Sequence, residues 1–261
     1  MNEASLEEVL IKDNEESSPS VLGFENRPIV PLELPRTIYL QTAIACLVNF
    51  TVGFSTSIIA PALIFIEESM DTSVAEISAI VSFALLGGLI GSVLSGWTSD
   101  LVGRRMTMNF GAAIMASSSL ACAWSRNAKE LILSRFLQGL GTSMSVVVAG
   151  VILTELSPTH IRGMLGSASQ NFLAVGLIAS GFTGYVMHVI VDTNQCWRPM
   201  FLVAAAAGIV SLLTSVLLLE ESPRWLASKH QIERARIVLR KIYGDHNREF
   251  VDDELNSFAN Q

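Results

Sequence analysis

The sequence predicts an all-α, polytopic membrane protein. Of its 261 residues, 50% are hydrophobic and only 16% charged, whereas a soluble domain carries about a quarter charged residues. Six separate apolar runs each approach the roughly 20 residues that a helix needs to cross a bilayer core. They are approximately Ile38–Ile59, Ile77–Trp97, Met106–Trp124, Leu131–Leu153, Ala168–Met187 and Met200–Leu219. Basic residues gather on alternate connections between these runs, which is the asymmetry expected of a multi-span bundle.

The chain opens on an acidic, polar stretch, residues 1–36, with Glu3, Glu7, Glu8, Asp13, Glu15 and Glu16 before Ser-Ser-Pro. Too little apolar surface is present there to offset ordering entropy, so a disordered tail is predicted. It lacks the basic start of a cleavable signal, and the first span is expected to act as an uncleaved anchor. The sequon Asn49-Phe-Thr51 falls inside that span and is expected to stay unmodified. Residues 37–220 are predicted to form the six-helix bundle. Small residues such as Gly87, Gly88, Gly91 and Ser95, then Gly139 and Gly141, suit close helix packing in lipid.

Between the second and third spans lies Gly96-Trp-Thr-Ser-Asp100-Leu-Val-Gly103-Arg104-Arg105. Its charges are costly in hydrocarbon and belong at the membrane surface. The stretch reads as a tight helix-to-helix turn, with glycines at both ends letting the helix ends approach. The fourth span holds Arg135 near one end, with Glu155 just past the other. After the sixth span, Glu220-Glu221-Ser-Pro-Arg224-Trp-Leu leads into a stripe of Ile232, Ala235, Val238, Leu239 and Ile242. That periodicity predicts an amphipathic surface helix, so residues 221–261 read as the start of a helical linker.

Arg27, Arg36, Arg104, Arg105, Arg162, Arg224, Lys229, Arg234 and Arg236 fall on one side, against Arg126, Lys129 and Arg198 on the other. Lys/Arg excess marks the cytoplasmic side, so both termini of the chain are placed in the cytoplasm. Trp97, Trp124, Trp197 and Trp225 lie near span ends, as an interfacial aromatic belt does. The net charge of −7 comes largely from the tails, and no basic tract suggests nucleic acid. Cys46, Cys122 and Cys196 show neither metal spacing nor a disulfide framework. The histidines form no metal set, and no nucleophile with a base, phosphate loop or cofactor fingerprint is visible. An enzyme is not expected, nor is a cofactor.

Five motifs in order carry a resemblance. They are Gly96-x-x-x-Asp100-x-x-Gly103-Arg104-Arg105; Arg135-Phe-Leu-Gln-Gly139-Leu-Gly141; Glu155-Leu-Ser-Pro158…Arg162-Gly163 with Gln170 eight residues on; Trp197-Arg198; and Glu221-Ser-Pro-Arg224-Trp-Leu. Together they resemble the sugar-porter branch of the major facilitator superfamily, the family of facilitative glucose transporters. The resemblance covers roughly residues 38–245. It implies the six-helix, amino-terminal half of a twelve-helix fold built from repeats, with substrate held between halves near the midplane. The partners it implies are a small neutral sugar, the lipid bilayer and a missing carboxyl-terminal half in cis.

The resemblance also implies roles. Asp100, Arg104, Arg105, Glu155, Arg162, Glu221 and Arg224 match a cytoplasmic charge network that locks the two halves and breaks when the cavity opens inward. The alternative is that these charges snorkel and enforce topology. Gly96, Gly103, Arg135, Gly139 and Gly163 match structural positions of the motifs. Gln170 matches a cavity-wall position, and its amide both donates and accepts, as a sugar site needs; helix packing is the alternative. Asn171 beside it points about 100° away, toward packing, from the helical step of 3.6 residues per turn. Thr56 aligns with a cavity-lining position, or bonds its own helix backbone.

Two departures stand out. Proton-coupled sugar porters carry an aspartate in the first span that pairs with the arginine opening the fourth; here Ser55 stands at that position while Arg135 is kept. Facilitated diffusion is therefore expected over proton symport. Glu220 replaces the usual proline before Glu-Ser-Pro-Arg. The resemblance leaves three further readings: a proton-coupled symporter, an organic-ion carrier of the same superfamily, and a non-transporting regulatory half. Plasma membrane is the default location.

Overall fold

The computed structural model describes residues 36–157, 161–191, 195–243, 251, 252 and 255. The expected acidic tail up to residue 35, Pro158, and residues 244–250, 253, 254 and 256–261 of the expected linker lie outside these residues. Nine helices follow in order among them: α1 Arg36–Ser57, α2 Ile59–Met70, α3 Val74–Val102, α4 Arg104–Trp124, α5 Ala128–Leu156, α6 Arg162–Ile190, α7 Trp197–Leu218, α8 Pro223–Ser228 and α9 Ile232–Tyr243.

The helices run past the apolar limits in the sequence. α3, α5 and α6 each have 29 residues, about 43 Å at 1.5 Å per residue. That exceeds the roughly 30 Å hydrocarbon core, so their ends project beyond it. Where the sequence places the end of the first span at Ile59, helix continues as α2 to Met70. Pro61 cannot donate to the Ser57 carbonyl, so the helix breaks at Ile58 and resumes rather than ending. α3 begins at a capping box: Ser73 Oγ accepts from Glu76 N–H, and Ser73 N–H donates to the Glu76 carboxylate at 3.0 Å.

Five of the six expected spans are long and apolar enough to cross a bilayer. The third, α4, falls short. It opens on Arg104-Arg105 and carries Thr107, Asn109 and Ser117-Ser118-Ser119. Ser117 faces outward, but Thr107, Ser118 and Ser119 are buried; the Ser118 and Ser119 hydroxyls bond the Met115 carbonyl, and Ser215 Oγ donates to Asn109 Oδ1 at 2.6 Å. Burial of α4 among its neighbours removes the need for a wholly apolar surface.

Close approaches set the helix directions. Asn49 meets Ser169, and Gly53 lies against Leu173, so α1 and α6 run parallel. Gly87 abuts Phe136 and Gly91 abuts Leu140, so α3 and α5 are parallel too. Gly111 faces Ser145 while Gly141 faces Met115, and Gly208 faces Ala116 while Ser215 reaches Asn109; α4 thus runs against both α5 and α7. The Gln41 side chain bonds the Leu218 carbonyl, joining the start of α1 to the end of α7. The six long helices therefore alternate in direction. A Cβ at Gly139 would overlap the Ala84 carbonyl, so the small-residue faces mark backbone-to-backbone packing.

α3 and α6 bury a single stripe each: Ile80, Gly87, Gly91, Ser95 and Ser99 on one, Leu165, Ser169, Gly176, Ser180 and Gly184 on the other. The rest of both helices is open. Two apolar clusters fill the interior. One joins α1, α4 and α5 to α8 and α9 at the basic end; the other centres on Phe54, Ile66, Leu131 and Phe201 at the opposite end. α9 docks through Ala235, Val238, Leu239, Ile242 and Tyr243.

The tryptophans divide. Trp97 and Trp124 are exposed, as an aromatic belt requires, but Trp197 is buried at 1% and donates from Nε1 to Ser69 Oγ at 3.0 Å. Trp197 is thus a core residue, with the Arg198 guanidinium 4.6 Å over its ring.

Candidate functional site

The predicted turn at Gly96 is a helix corner. α3 remains helical through Val102, and Gly103 alone separates it from α4. Gly103 has φ +109°, a region that L side chains rarely adopt, and a Cβ there would lie 2.6 Å from Glu221 Oε2. The close approach therefore holds at Gly103 and fails at Gly96, which has open space beside it, as does Gly163.

The corner organises the charges. Arg104 Nε and Nη2 donate to Glu155 Oε2 and Oε1 at 3.2 and 3.3 Å, a side-on pair joining α4 to the end of α5. Arg104 Nη1 meets Asp100 Oδ1 at 3.0 Å and the Ser99 carbonyl at 2.9 Å. One guanidinium thus clips both sides of the helix break and the end of α5. The Arg104 and Glu155 side chains are 14% and 10% exposed, whereas Asp100 is 73% exposed. The Arg104–Glu155 pair is accordingly the stronger one.

Glu221 takes a different role from the expected side-chain ion pair. Its Oε1 accepts from the backbone N–H of Arg104 at 2.9 Å, Arg105 at 3.1 Å and Ser222 at 3.0 Å. The first turn of a helix leaves four N–H groups without helical partners and a partial positive charge. Glu221 satisfies two of them from another part of the chain. Gly103, the residue before α4, has no side chain to do so.

Arg105 donates from Nη2 to the Val216 carbonyl at 2.5 Å, and Arg162 donates to the Ser157 carbonyl at 3.4 Å. Both arginines thus contact main-chain carbonyls at helix ends, where cations are favoured. Arg224 lines a cleft of about 370 Å³ with Asp100, Arg104, Glu155, Trp225, Ser228 and Lys229. Trp225 Nε1 donates to the Asp100 carbonyl at 3.1 Å, fastening α8 to the end of α3. Sequence reasoning assigned Trp225 to a belt and missed this contact; its place right after Arg224 carried no signal of it.

Glu220 also acquires a function. Its N–H donates to Gln41 Oε1 at 3.1 Å while Gln41 Nε2 donates to the Leu218 carbonyl at 3.1 Å. The Glu220 carboxylate pairs with Lys241 on α9, and Thr37 Oγ1 donates to the Lys241 carbonyl at 2.9 Å. Proline at this position could supply neither the N–H nor the charge.

Thr56 and Gln170 are both exposed on the bundle's surface, on neighbouring helices α1 and α6. Asn171 is exposed as well, so it is not the packing residue its angular offset suggests. Packing falls instead to Ser169, the residue before Gln170, which meets Asn49.

Arg135 is deep in the bundle. Its Nη1 donates to Gln138 Oε1 at 2.5 Å and reaches the Ser55 carbonyl at 3.5 Å, so Ser55 and Arg135 stand together. Gln138 Nε2 in turn donates to Ser119 Oγ at 2.9 Å. The i, i+3 spacing of Arg135 and Gln138 places both on one helix face, a signal present in the sequence.

A family model for "Sugar (and other) transporter" matches residues 41–260. The chain belongs to this family. The chain is 30% identical over 236 residues to the "Proton myo-inositol cotransporter hmit-1.1" of Caenorhabditis elegans, covering 88% of this chain and 38% of that protein. It is 31% identical over 217 residues to the "Glucose transporter GlcP" of Staphylococcus epidermidis, covering 83% of this chain and 47% of that one. The chain thus spans less than half the length of these curated relatives. Among solved structures it resembles the major facilitator superfamily proton:xylose symporter XylE bound to 6-bromo-6-deoxy-D-glucose. That likeness has TM-score 0.79, 24% identity and coverage of 86% of this chain and 53% of that one. A partially occluded, inward-open form of XylE from E. coli gives TM-score 0.78 at 24% identity, with 85% and 58% covered. The fold is therefore that of a six-helix half of the major facilitator architecture, in a family of multi-pass membrane transporters rather than enzymes.

Proposed function

We propose that this chain is the amino-terminal half of a facilitative sugar carrier that works by alternating access. The family match over residues 41–260 carries the reading. In it, residues 37–220 are the helix bundle, 1–36 a polar lead-in and 221–261 the start of a helical linker to a second half. The open faces of α3 and α6 meet that half. Gln170 and Thr56, exposed and polar on adjacent helices, contribute hydroxyl and amide contacts to a neutral, hexose-type sugar.

The Arg104–Glu155–Asp100 cluster and the cleft shared with Arg224 form a gate at the cytoplasmic surface. Ion pairs that are partly buried can bias a two-state rocking equilibrium, because each is made in one arrangement and broken in the other. Arg105, Arg162 and Glu221 support it by tying helix ends together. On the positive-inside rule both ends of this chain are read as cytoplasmic, and the plasma membrane is the default location.

Two relatives are proton-coupled by name, yet Ser55 faces Arg135 here, and a hydroxyl cannot exchange a proton near neutral pH. This favours uniport over symport. The test is uptake of labelled glucose by the full-length protein in proteoliposomes, competed with polyols and with organic cations and anions. Expected is saturable, glucose-competed uptake, with Gln170→Ala raising KM about tenfold, the loss of roughly one good hydrogen bond to substrate. Competition by organic ions alone would transfer the protein to the organic-ion carriers. Folded protein without uptake of any solute would favour a regulatory role.

A further inference from the structure

We propose that Arg135 and Ser55 form a binding site for a small inorganic anion, chloride being the abundant one. The inference stands on the buried polar groups and is independent of which sugar is carried. Arg135 is 3% exposed and Ser55 is fully buried. A guanidinium out of water needs an opposite charge or a full set of acceptors. Arg135 has neither among the described residues. Its contacts are one neutral amide oxygen, on Gln138, and the Ser55 carbonyl at the 3.5 Å limit. Every ion pair among the described residues lies elsewhere.

Two donors at this place lack acceptors. Arg135 Nε is buried with no hydrogen-bond partner, and so is Ser55 Oγ. Arg135 Nη1 reaches the Ser55 carbonyl at 3.5 Å, so the two residues are neighbours, and the proposal requires one acceptor within reach of both orphan donors. Both unsatisfied groups can donate, and one carries a positive charge. That chemistry selects an anion over a cation or a sugar hydroxyl. Near-complete burial of both residues selects a small one, since a carboxylate ligand or a phosphate needs more room and more donors. Gln138 cannot compete for the role of counter-charge, being neutral and already committed through its Nε2 to Ser119.

The site also accounts for a serine opposite a buried arginine. An anion taken from solution supplies the negative charge that the chain itself omits. Introducing a carboxylate at residue 55 replaces that anion internally. Ser55→Asp is therefore the decisive variant, because it should keep the arginine neutralised and the bundle folded while removing the need for halide.

The experiment measures thermal unfolding of the purified full-length protein in sodium gluconate titrated with sodium chloride or bromide at constant ionic strength. The expected result is a saturable rise in Tm of about 2–4 °C for the native protein, the size given by a ligand near saturation. The rise should be absent in Ser55→Asp and in Arg135→Gln. A flat response in the native protein would overturn the proposal and point to a carboxylate from a segment outside this chain. An equal halide response in native protein and Ser55→Asp would also overturn it, as a general salt effect. Transport activity enters neither readout, so loss of the sugar reading leaves this test intact.

Discussion

Glu221 Oε1 lies 2.9 Å from the backbone nitrogen of Arg104, across 117 residues of chain. The carboxylate that follows the sixth long helix is the N-terminal cap of the third. A residue with every appearance of a side-chain ion-pair partner therefore serves a helix end. The cap joins the exit of α7 to the corner between α3 and α4.

Glu221→Ala should destabilise the protein by about 1–2 kcal/mol, the usual cost of a lost cap augmented by the lost charge at the helix N-terminus. Glu221→Gln keeps an acceptor oxygen and should lose less. Chemical or thermal unfolding of the two variants gives the comparison; equal losses would assign the whole effect to the charge, and no loss in either variant would overturn the cap assignment.

Gly103→Ala should be more harmful than a surface substitution, by about 1–3 kcal/mol. The new Cβ meets both a positive φ and the Glu221 carboxylate. Gly96→Ala, in open space within helix, should be neutral or stabilising by up to about 1 kcal/mol. Yield and Tm of the pair separate the two glycines of one motif.

Arg104 and Glu155 should be strongly coupled. A double-mutant cycle with Arg104→Ala and Glu155→Ala should return a coupling of about 1–3 kcal/mol. The same cycle with Asp100→Ala should return under about 1 kcal/mol, since Asp100 is mostly exposed. Inverted magnitudes would contradict the assignment of Glu155 as the principal partner.

Glu220→Pro restores the residue usual at this position and removes both the N–H bond to Gln41 and the pair with Lys241. α9 should become more accessible, seen as faster amide exchange over Ile232–Tyr243 and earlier proteolysis there. Lys241→Ala should give a smaller effect in the same direction, because the Gln41 bonds survive.

Ser55→Asp places a titratable carboxylate beside Arg135. Uptake by the full-length variant should acquire a dependence on external pH that native uptake lacks, rising as acid protonates the new group. Identical pH profiles for the two proteins would remove the argument from Ser55 to uniport.

The six long helices were legible because each must bury or expose about 20 apolar residues in a continuous run, and α9 because its apolar stripe keeps a 3.6-residue period. Helix ends were not. The polar turns of α3, α5 and α6 extend past the apolar runs, and hydropathy is silent on them. α4 is a converse case: its serines and Asn109 weaken the apolar signal, yet Gln138 on α5 takes up Ser119 and Ser215 on α7 takes up Asn109. The motifs located the charged residues at helix ends. They did not locate the partners, since Glu221 looks the same in sequence whether it meets a guanidinium or a backbone N–H.

By itself, then, the sequence determined the class, the alternating spans and the family, all consequences of periodicity and of residues at short, ordered spacings. Tertiary structure alone decided which groups meet. It put Glu221 over α4, reduced a ten-residue motif to a one-residue corner at Gly103, and brought Ser55 against Arg135 across 80 residues. Such contacts depend on how helices distant in the chain pack in space, and pairwise distance is not encoded in local pattern.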